Sequence, residues 1–312
     1  MILSDFIVNS KEGLYCKYAD FYLDPQVPVK NAVISHAHGD HAKAGNQNIY
    51  CSAFTADLMR LRFKKNAGAI FQILDYRQNF EIGEVQLELL PAGHILGSAM
   101  VKMTYQNCIY LYTGDFKLQP DETCEAAVLC KADVLITETT FAHPATQHPN
   151  PETEIAKLNN ISGNIMLGVY GLGKAQRITQ LINKHCLQKK IHLHYSIFPV
   201  HQLYQKHGVN LGSFQHYDRK WLKNNNQQQV YMVPPLTFRS YRNAFGVTKI
   251  FASGWQNLQH GNDETLFISD HADWQEILDT VKEVNPSEIW TTHGEGEHLK
   301  AYFRTSLRVK IL

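Results

Sequence analysis

The segment AVISHAHGDHAKAG concentrates potential metal ligands, with His36, His38, Asp40 and His41 close together in the sequence. Alternate side chains of an extended segment point the same way, so His36 and His38 can reach one ion from one side. Asp40 and His41, on the following turn, can then reach a second ion. Imidazole and carboxylate groups suit zinc and similar divalent ions. A histidine-rich surface loop is the alternative, but HxHxDH arises by chance in roughly two of a thousand chains of this composition, so the spacing predicts a two-metal site.

Five further polar residues share one position, the point where an apolar stretch meets a loop. Functional sites of layered α/β proteins are built at such strand ends. A single residue of this kind is more often a loop residue satisfied by the backbone, whereas five of them alongside HxHxDH predict one common site. They are His94 after VQLELLPAG, Asp115 after CIYLYTG, Glu138 in DVLITE, His271 after TLFISD and His293 after EIWTT.

The pattern of apolar residues predicts an α/β fold that is interrupted by an insertion. The predicted strands cover residues 32–35, 85–90, 108–113, 133–138, 265–269 and 288–292, and the predicted helices cover residues 54–63, 173–185 and 274–284. The pattern of residues changes near residue 149, where the proline and acidic residues of PNPETE are typical of a helix start. A polar run at 223–229 predicts a surface loop. We therefore predict one domain made of residues 1–148 and 255–312, with residues 149–254 inserted into it.

Charge is distributed unevenly along the chain, whose net charge is only +1. Residues 149–254 contain 13 lysines and arginines but three acidic residues, so this segment is strongly basic and the remainder is acidic. A basic block inside an acidic chain suggests a polyanionic partner that is held by one part of the molecule. A solubilising surface is the alternative explanation.

Composition also bears on location. No stretch approaches the roughly 20 apolar residues that a bilayer span needs, so we expect no membrane partner. The first residues, MILSDFIVNSKEG, lack the basic start and long apolar run of a signal peptide. The six cysteines form no CxxC pair, which favours free, mostly buried thiols in a reducing cytoplasm over disulfides.

The motif series resembles that of a known superfamily. HxHxDH, then GH in PAGHILGSA, then TGD, is similar to the series of the metallo-β-lactamase superfamily. HILGSA, the acid in TETTF, and the histidines in SDHAD and THG resemble the β-CASP branch of nucleic-acid nucleases. GLYCKYADFYLDP, YGLGKAQR and ASGW before SDHADW are similar to the bacterial DNA-ligase-associated exonuclease family. The resemblance covers essentially the whole chain and implies a metallo-β-lactamase αββα sandwich with a β-CASP cap at 149–254.

The resemblance implies roles for individual residues. His36, His38 and His94 would hold the first metal ion, Asp40, His41 and His293 the second, and Asp115 would bridge both. Glu138 and His271 match an acid and a histidine near the leaving group. Asp24, in FYLDP, matches an early aspartate that orients a ligand histidine; a turn-initiating aspartate before Pro25 is the alternative. Histidine-rich sites favour two Zn²⁺ ions, with Mn²⁺ as the other option.

A two-metal site predicts phosphodiester hydrolysis by an activated water. Asp40 and Asp115 would then act in catalysis as ligands, and His271, kept protonated by Glu138, would donate a proton to the leaving oxygen. The prediction fails if His271→Ala leaves the rate and its pH profile unchanged.

Substrate binding is predicted mainly in the insertion. Lys174 and Arg177 in GLGKAQR follow glycines that let a backbone approach phosphate, and they open a helix whose N-terminus favours anions. A tight strand–helix turn explains the glycines equally well. Ser98 and Lys117 are further candidates for phosphate contact. Trp221, Phe238 and Tyr241 are candidates for stacking on unpaired bases, with core packing as the alternative.

The predicted function is therefore a DNA exonuclease of repair, with DNA favoured over RNA and with a DNA ligase or helicase as a possible partner. An RNA-processing β-CASP nuclease is the first alternative, because His293 is typical of RNA-processing members. Small-molecule hydrolysis on the same fold is the second, although it has no use for a basic insertion. A non-catalytic scaffold is disfavoured because every expected ligand is present.

Overall fold

The computed structural model describes residues 1–218, 228–241 and 243–312. The chain divides into two compact units. Unit 1 consists of Met1–Gln147 and His271–Leu312, and unit 2 is His148–Asp270. In the part of the chain that the structure describes, no helix is long and apolar enough to cross a bilayer.

The first sheet of unit 1 contains six strands in sequential order, with strands β3 to β6 parallel. Helix α1 precedes the last strand, and its N-cap Ser52 accepts a hydrogen bond from the amide of Thr55. A short 3-10 turn, Lys64–Asn66, follows the helix. The elements are β1 Val8–Asn9, β2 Leu14–Cys16, β3 Phe21–Leu23, β4 Asn31–Val33, β5 Asn48–Cys51, α1 Ala53–Phe63 and β6 Ile70–Ile73.

The second sheet of unit 1 begins as an antiparallel meander of four strands, to which a fifth strand adds in parallel. Strand β11 is buried along its whole length, as expected for a strand covered on both faces, whereas β8 alternates between buried and less buried residues in its first half. They are β7 Asn79–Ile82, β8 Val85–Pro91, β9 Ala99–Tyr105, β10 Cys108–Tyr112 and β11 Val134–Thr139.

Unit 2 is built on an all-parallel sheet of five strands, in the order β14-β13-β15-β12-β16. Its core joins the strands to the apolar face of helix α3, on which Ile178, Leu181 and Ile182 are buried. Two 3-10 turns lie at Lys157–Asn160 and Gln256–Gln259. The elements are α2 Pro151–Ala156, β12 Asn164–Gly168, α3 Lys174–His185, β13 Lys190–Leu193, α4 Phe198–Lys206, β14 Gln215–His216, β15 Gln229–Val233, α5 Pro235–Ser240 and β16 Val247–Phe251.

The end of the chain returns to unit 1 and completes its second sheet. Helix α6 starts with a capping box in which Asp273 and Glu276 bond each other's backbone amides. Strand β17 pairs in parallel with β11, and β18 forms the edge beyond it. The elements are α6 Trp274–Val284, β17 Glu288–Gly294, α7 Glu297–Tyr302 and β18 Arg308–Ile311.

The layers of unit 1 follow from its buried clusters. One cluster contains residues of both sheets, among them Phe21 and Leu23 from the first and Leu87 and Tyr110 from the second, so the two sheets pack face to face. A separate cluster joins the outer face of the second sheet to helices α6 and α7, while α1 contacts the first sheet. The result is the helix–sheet–sheet–helix sandwich that the family resemblance of the sequence implied.

The predicted helices are confirmed at Ala53–Phe63, Lys174–His185 and Trp274–Val284. The strand predicted at 265–269 was wrong, because only an isolated bridge joins Leu266 to Ala252. Side chains hold this segment in place of a ladder: the amide of Gln259 bonds both backbone groups of Leu266, and Glu154 accepts from the amide of Phe267. These bonds also explain why residues 255–270 belong to unit 2, although the sequence predicted the boundary at 254.

The polar run predicted as a loop at 223–229 lies mostly outside the described residues. Its last residue, Gln229, already begins strand β15.

Candidate metal centre

The HxHxDH segment follows strand β4 and is fixed by hydrogen bonds to its backbone. The carbonyl of Ser35 accepts from the amide of Ala99 over 2.8 Å. Helix α1 contributes Arg62, whose guanidinium donates to the carbonyl of Ala37. Because Ala37 lies between His36 and His38, this contact positions the two rings relative to each other. Sequence reasoning missed Arg62, which no local pattern distinguishes from other helix cations.

Three imidazole nitrogens converge with one carboxylate at the first ligand cluster. Nδ1 of His38 lies 3.0 Å from Nε2 of His36 and 3.0 Å from Nε2 of His94. Oδ2 of Asp115 lies 3.5 Å from Nε2 of His36 and 3.7 Å from Nε2 of His94. His36, His94 and Asp115 are buried. This arrangement of four ligand atoms could hold one metal ion.

A second ligand cluster shares Asp115 and adds His41 and His293. Nε2 of His41 is buried, has no hydrogen-bond partner among the described residues, and lies 3.3 Å from Oδ2 of Asp115. The rings of His41 and His293 have their centroids 4.8 Å apart. An orphaned buried nitrogen beside a carboxylate is what an ion-binding site requires, so the residues fit a second metal ion.

The backbone at His293 is strained, with a φ of +47°. Gly294 follows with a φ of +104°, and a Cβ added there would meet the backbone of Thr139 at 2.4 Å. The end of β17 therefore requires glycine after His293. Non-glycine residues in this region of conformational space concentrate at functional sites.

Asp40 is not brought into either cluster. Its side chain is 73% exposed, and its Oδ2 lies 3.9 Å from Nε2 of His41. The sequence expectation that Asp40 is a ligand of the second ion therefore requires its side chain to turn inward from the position it has in this structure.

Glu138 and His271 form a pair beside Asp115. Oε2 of Glu138 lies 2.8 Å from Nδ1 of His271, and its other oxygen accepts from the amide of Phe116 over 2.9 Å. Glu138 is fully buried, whereas a quarter of the His271 side chain is exposed. Nδ1 of His271 lies 3.9 Å from Oδ2 of Asp115, so the pair adjoins both ligand clusters. Asp115, Glu138 and His271 also lie close enough together to form a ligand set of their own.

Asp24 lies outside the clusters and contacts one ligand from behind. Its buried carboxylate accepts from Nδ1 of His41, from the hydroxyls of Ser35 and Tyr112, and from the amide of Ser35, over distances of 2.6–2.9 Å. Four donors to one carboxylate fix the orientation of the His41 ring. Ser35 and Tyr112 were missed by sequence reasoning, because neither residue belongs to a spaced motif.

Burial and neighbouring charges shift the pKa values of the cluster residues in different directions. Burial, helped by the neighbouring His41, holds the pKa of His36 well below its usual value. Burial also disfavours the charged form of His41, but Asp115 and Asp24 outweigh it and hold the pKa of His41 well above its usual value. Burial opposes the charge of Asp115 as well, yet His41 and His271 hold its pKa well below the usual value. Metal ions bind neutral imidazole and ionised carboxylate, so His36 and Asp115 are already in binding form, whereas an ion at His41 must displace a proton from the ring.

Comparison with known proteins agrees with this geometry. Residues 263–309 match a family model described as the RNA specificity domain of Zn-dependent metallo-hydrolases (RMMBL). The chain is 31% identical over 306 residues to a probable DNA ligase of Opitutus terrae, and the aligned region covers 92% of this chain and 29% of that protein. It is 29% identical over 191 residues to an RNase J-like protein of Methanocaldococcus jannaschii, covering 52% of this chain and 45% of that protein.

The chain belongs to the β-CASP branch of the metallo-β-lactamase superfamily. A more distant relative, Integrator complex subunit 11 of Danio rerio, is 22% identical over 83% of this chain and 52% of that protein. The chain thus spans between 29% and 52% of the length of these three curated relatives. A crystal structure of a protein of unknown function from Enterococcus faecalis V583 has a TM-score of 0.60 over 93% of this chain and 80% of that chain, at 16% identity, which shows the fold alone.

Two predicted phosphate contacts of this β-CASP chain are engaged in its own backbone. The ammonium of Lys117 is buried and donates to the carbonyls of Gly93 and His94, with Asp121 at 3.0 Å. The hydroxyl of Ser98 accepts from the amides of His94 and Ile95. Both side chains therefore hold the loop that carries His94, contrary to the expectation that they touch substrate.

The predicted contacts in the GLGKAQR segment are similarly occupied. Arg177 is 1% exposed and donates to the carbonyl of Ser269 over 2.6 Å, with Oδ1 of Asp270 at 3.4 Å. Nζ of Lys174, also buried, lies 3.7 Å from Oδ2 of Asp270 and over the ring of Tyr170. These cations anchor the segment directly before His271, a role that sequence reasoning missed because Asp270 is distant in sequence. Of the stacking candidates, Tyr241 is 55% exposed, Phe238 is partly buried, and Trp221 lies outside the described residues.

Proposed function

We propose that this chain is a metal-dependent phosphodiesterase that degrades DNA from an end and acts in repair. Two ligand clusters that share Asp115, with the Glu138–His271 pair directly beside them, carry this proposal. We propose unit 1 as the catalytic domain, with His36, His38, His94 and Asp115 as ligands of one ion and Asp115, His41 and His293 as ligands of the other. Three converging imidazoles favour Zn²⁺.

When bound, two divalent ions supply Lewis acidity that activates a water molecule and neutralises charge on the phosphate. The chain's own residues supply the remainder. Asp115 lies between the two sets of histidines and holds them around shared negative charge. Asp24 keeps the His41 ring turned toward that charge. This preorganisation reduces the rearrangement that the reaction requires.

His271 is the residue that would donate a proton to the departing oxygen. Glu138 holds its Nδ1, so the proton would be donated from Nε2 on the opposite side of the ring. Glu138 is itself fixed by the amide of Phe116, which prevents the carboxylate from turning away. General acid catalysis of this kind contributes about 10²–10⁴-fold to a rate.

Nucleic acid as the substrate is supported by the basic composition of residues 149–254. DNA is supported by the relative that matches 92% of this chain, a probable DNA ligase, and a DNA ligase or helicase is accordingly the proposed partner. The described cysteines are all free, in keeping with work in a reducing cytoplasm. We propose unit 2 as the part that binds the strand.

RNA is the second candidate substrate, and two observations favour it. The match at 263–309 is to a model described as an RNA specificity domain, and it includes both His271 and His293. Several relatives are named as RNases, among them the RNase J-like protein.

The deciding experiment compares single-stranded DNA and RNA of one sequence, labelled at either end, with Zn²⁺ or Mn²⁺. Wild type should shorten DNA stepwise, Asp115→Ala should be inactive, and the surface variant Asp20→Ala should match wild type. Faster shortening of RNA would overturn the DNA assignment. Inactivity on both polymers, with hydrolysis of small esters, would overturn the nuclease proposal in favour of a small-molecule hydrolase.

A further inference from the structure

A cavity of about 200 Å³ lies in unit 2 at the carboxyl ends of three parallel strands. Tyr170 follows β12, Pro235 follows β15, and Phe251 ends β16. β12 and β15 are neighbours in the sheet, but the chain runs from β12 to β13 and from β15 to β16, toward opposite edges of the sheet. In open parallel sheets, ligands bind at such a switch point, outside the carboxyl ends of the strands.

Aromatic rings line the interior of this cavity. The rings of Phe238 and Phe251 have their centroids 5.4 Å apart, and that of Tyr170 lies 6.0 Å from that of Phe251 in an edge-on arrangement. Both phenylalanine rings pack onto Gly168, where an added Cβ would approach them within 2.5–2.6 Å. Tyr170 remains 46% exposed, so it offers a ring face to a ligand.

Polar groups complete the rim. Arg239 is exposed and forms no ion pair with any residue that the structure describes. Lys249, by contrast, lies 3.6 Å from Asp263 and is partly neutralised. The side chain of Asn257 has no hydrogen-bond partner within the described part of the chain, and it is exposed at the cavity. An amide can pair with a base edge, and an unpaired guanidinium can bind phosphate.

We propose that this cavity receives one base of the bound single strand, with Tyr170 stacking on the base and Arg239 meeting the adjacent phosphate. The inference rests on the proposed function, because it names the substrate contact of a nuclease. The volume of the cavity is below the roughly 300–1,000 Å³ of sites for drug-sized ligands, and this smaller volume suits one flat ring system. Base–aromatic stacking tolerates any sequence, as degradation of a strand from its end requires.

The test scans a short single-stranded DNA with one abasic residue at each position in turn. Binding is measured by fluorescence anisotropy in an Asp115→Asn background, so that the strand is held without being cut. One abasic position should weaken binding roughly tenfold. Tyr170→Leu should abolish that penalty, because the base has lost its partner. Tyr195→Leu, which removes another exposed tyrosine of unit 2 outside the cavity, should preserve it.

Arg239→Gln provides a second measurement. It should weaken binding of the intact strand several-fold. It should also make the slope of log K against log salt concentration shallower, by the contribution of about one phosphate contact. Lys190→Gln is the charge-matched control, because Lys190 begins β13, an interior strand of the same sheet, and does not line the cavity. Equal salt slopes for the two variants would contradict the assigned role of Arg239.

The outcomes separate this inference from the proposed function. An abasic profile that Tyr170→Leu leaves unchanged would overturn the base site even if wild type digests DNA. If one abasic position weakens binding in a Tyr170-dependent way but the protein cuts neither polymer, the base site is supported and the proposed hydrolytic activity is overturned. Binding of thymidine monophosphate that depends on Tyr170, with a flat abasic profile, would assign the cavity to a free nucleotide and overturn the inference.

Discussion

The ring of His41 donates its Nδ1 hydrogen to Oδ2 of Asp24 over 2.8 Å, in an environment where both side chains are buried. Nε2 of the same ring is thereby directed at Asp115, 3.3 Å away. The carboxylate behind the ring thus determines which nitrogen is available to an ion, because the two nitrogens of imidazole have different partners.

We expect Asp24→Asn to lower the affinity for Zn²⁺ roughly 10–100-fold, because an amide nitrogen would oppose the donors that now surround this oxygen. Competition with a chromophoric chelator measures the affinity. Asp20→Asn is the matched control, since Asp20 also has a positive φ, but its carboxylate is exposed and accepts from the hydroxyl of Tyr15 at the surface. Equal Zn²⁺ affinities for the two variants would remove Asp24 from the metal centre.

The ligand set could be predicted from the sequence to the extent that spacing and strand ends determine it. His36 and His38 are two residues apart in an extended segment, so their convergence is local, and β11 and β17 end side by side because they are parallel neighbours. Asp40 was harder to predict, because its position depends on the rotamer of one exposed side chain.

Burial explains most of what the sequence could not predict. Lys117 and Arg177 follow glycine-containing motifs and look available for phosphate, yet tertiary packing encloses both of them. Their partners, Asp121 and Asp270, do not differ in sequence from surface acids. The predicted strand at 265–269 has the right composition, but a strand exists only where a neighbour offers a ladder, and here side chains take that place.

His271 should matter most when the leaving group is poor. We expect His271→Ala to slow DNA cleavage about 10²–10⁴-fold. The p-nitrophenyl ester of thymidine 5′-phosphate should be affected much less, because nitrophenolate departs without a proton. His298→Ala, which removes another histidine of unit 1, is the control.

Zn²⁺ content distinguishes this role from metal binding. His271 lies near Asp115 and Glu138 in an arrangement that could itself hold an ion. If His271→Ala loses one equivalent of Zn²⁺ and slows both substrates equally, the residue is a ligand and the assignment as a proton donor is wrong.

Lys117 should contribute to stability through its buried contacts. Replacement by methionine leaves Asp121 without its cation and removes one donor from the carbonyls of Gly93 and His94, so Lys117→Met should cost about 3–5 kcal/mol of unfolding free energy. The double variant with Asp121→Asn should recover part of that loss. Lys102→Met, which breaks a more exposed pair with Glu88, should cost less than about 1 kcal/mol in the same urea titration. If Lys117→Met unfolds like wild type but has an increased KM for DNA, Lys117 contacts the phosphate of the substrate, as the sequence predicted.

His201 should make the stability of unit 2 sensitive to acid. Its buried ring contacts the amide of Gln176 at 2.9 Å and the hydroxyl of Thr179 at 2.8 Å, and burial lowers its pKa to about 3. The unfolded chain takes up this proton below about pH 6.5, whereas the folded chain does so only near pH 3. The stability is therefore fully present above pH 6.5 and is lost as the pH falls, by about 2 kcal/mol at pH 5.

The variant His201→Gln carries no titrating ring, so its unfolding free energy should change less between pH 7 and pH 5 than that of wild type. Urea titrations at the two pH values measure the difference, and His207→Gln, at the end of the same helix α4, should behave like wild type. If wild type and His201→Gln lose stability in parallel as the pH falls, the ring is protonated in the folded protein. The Gln176 and Thr179 contacts would then have to accommodate a charge, since two donors on the ring need two acceptors.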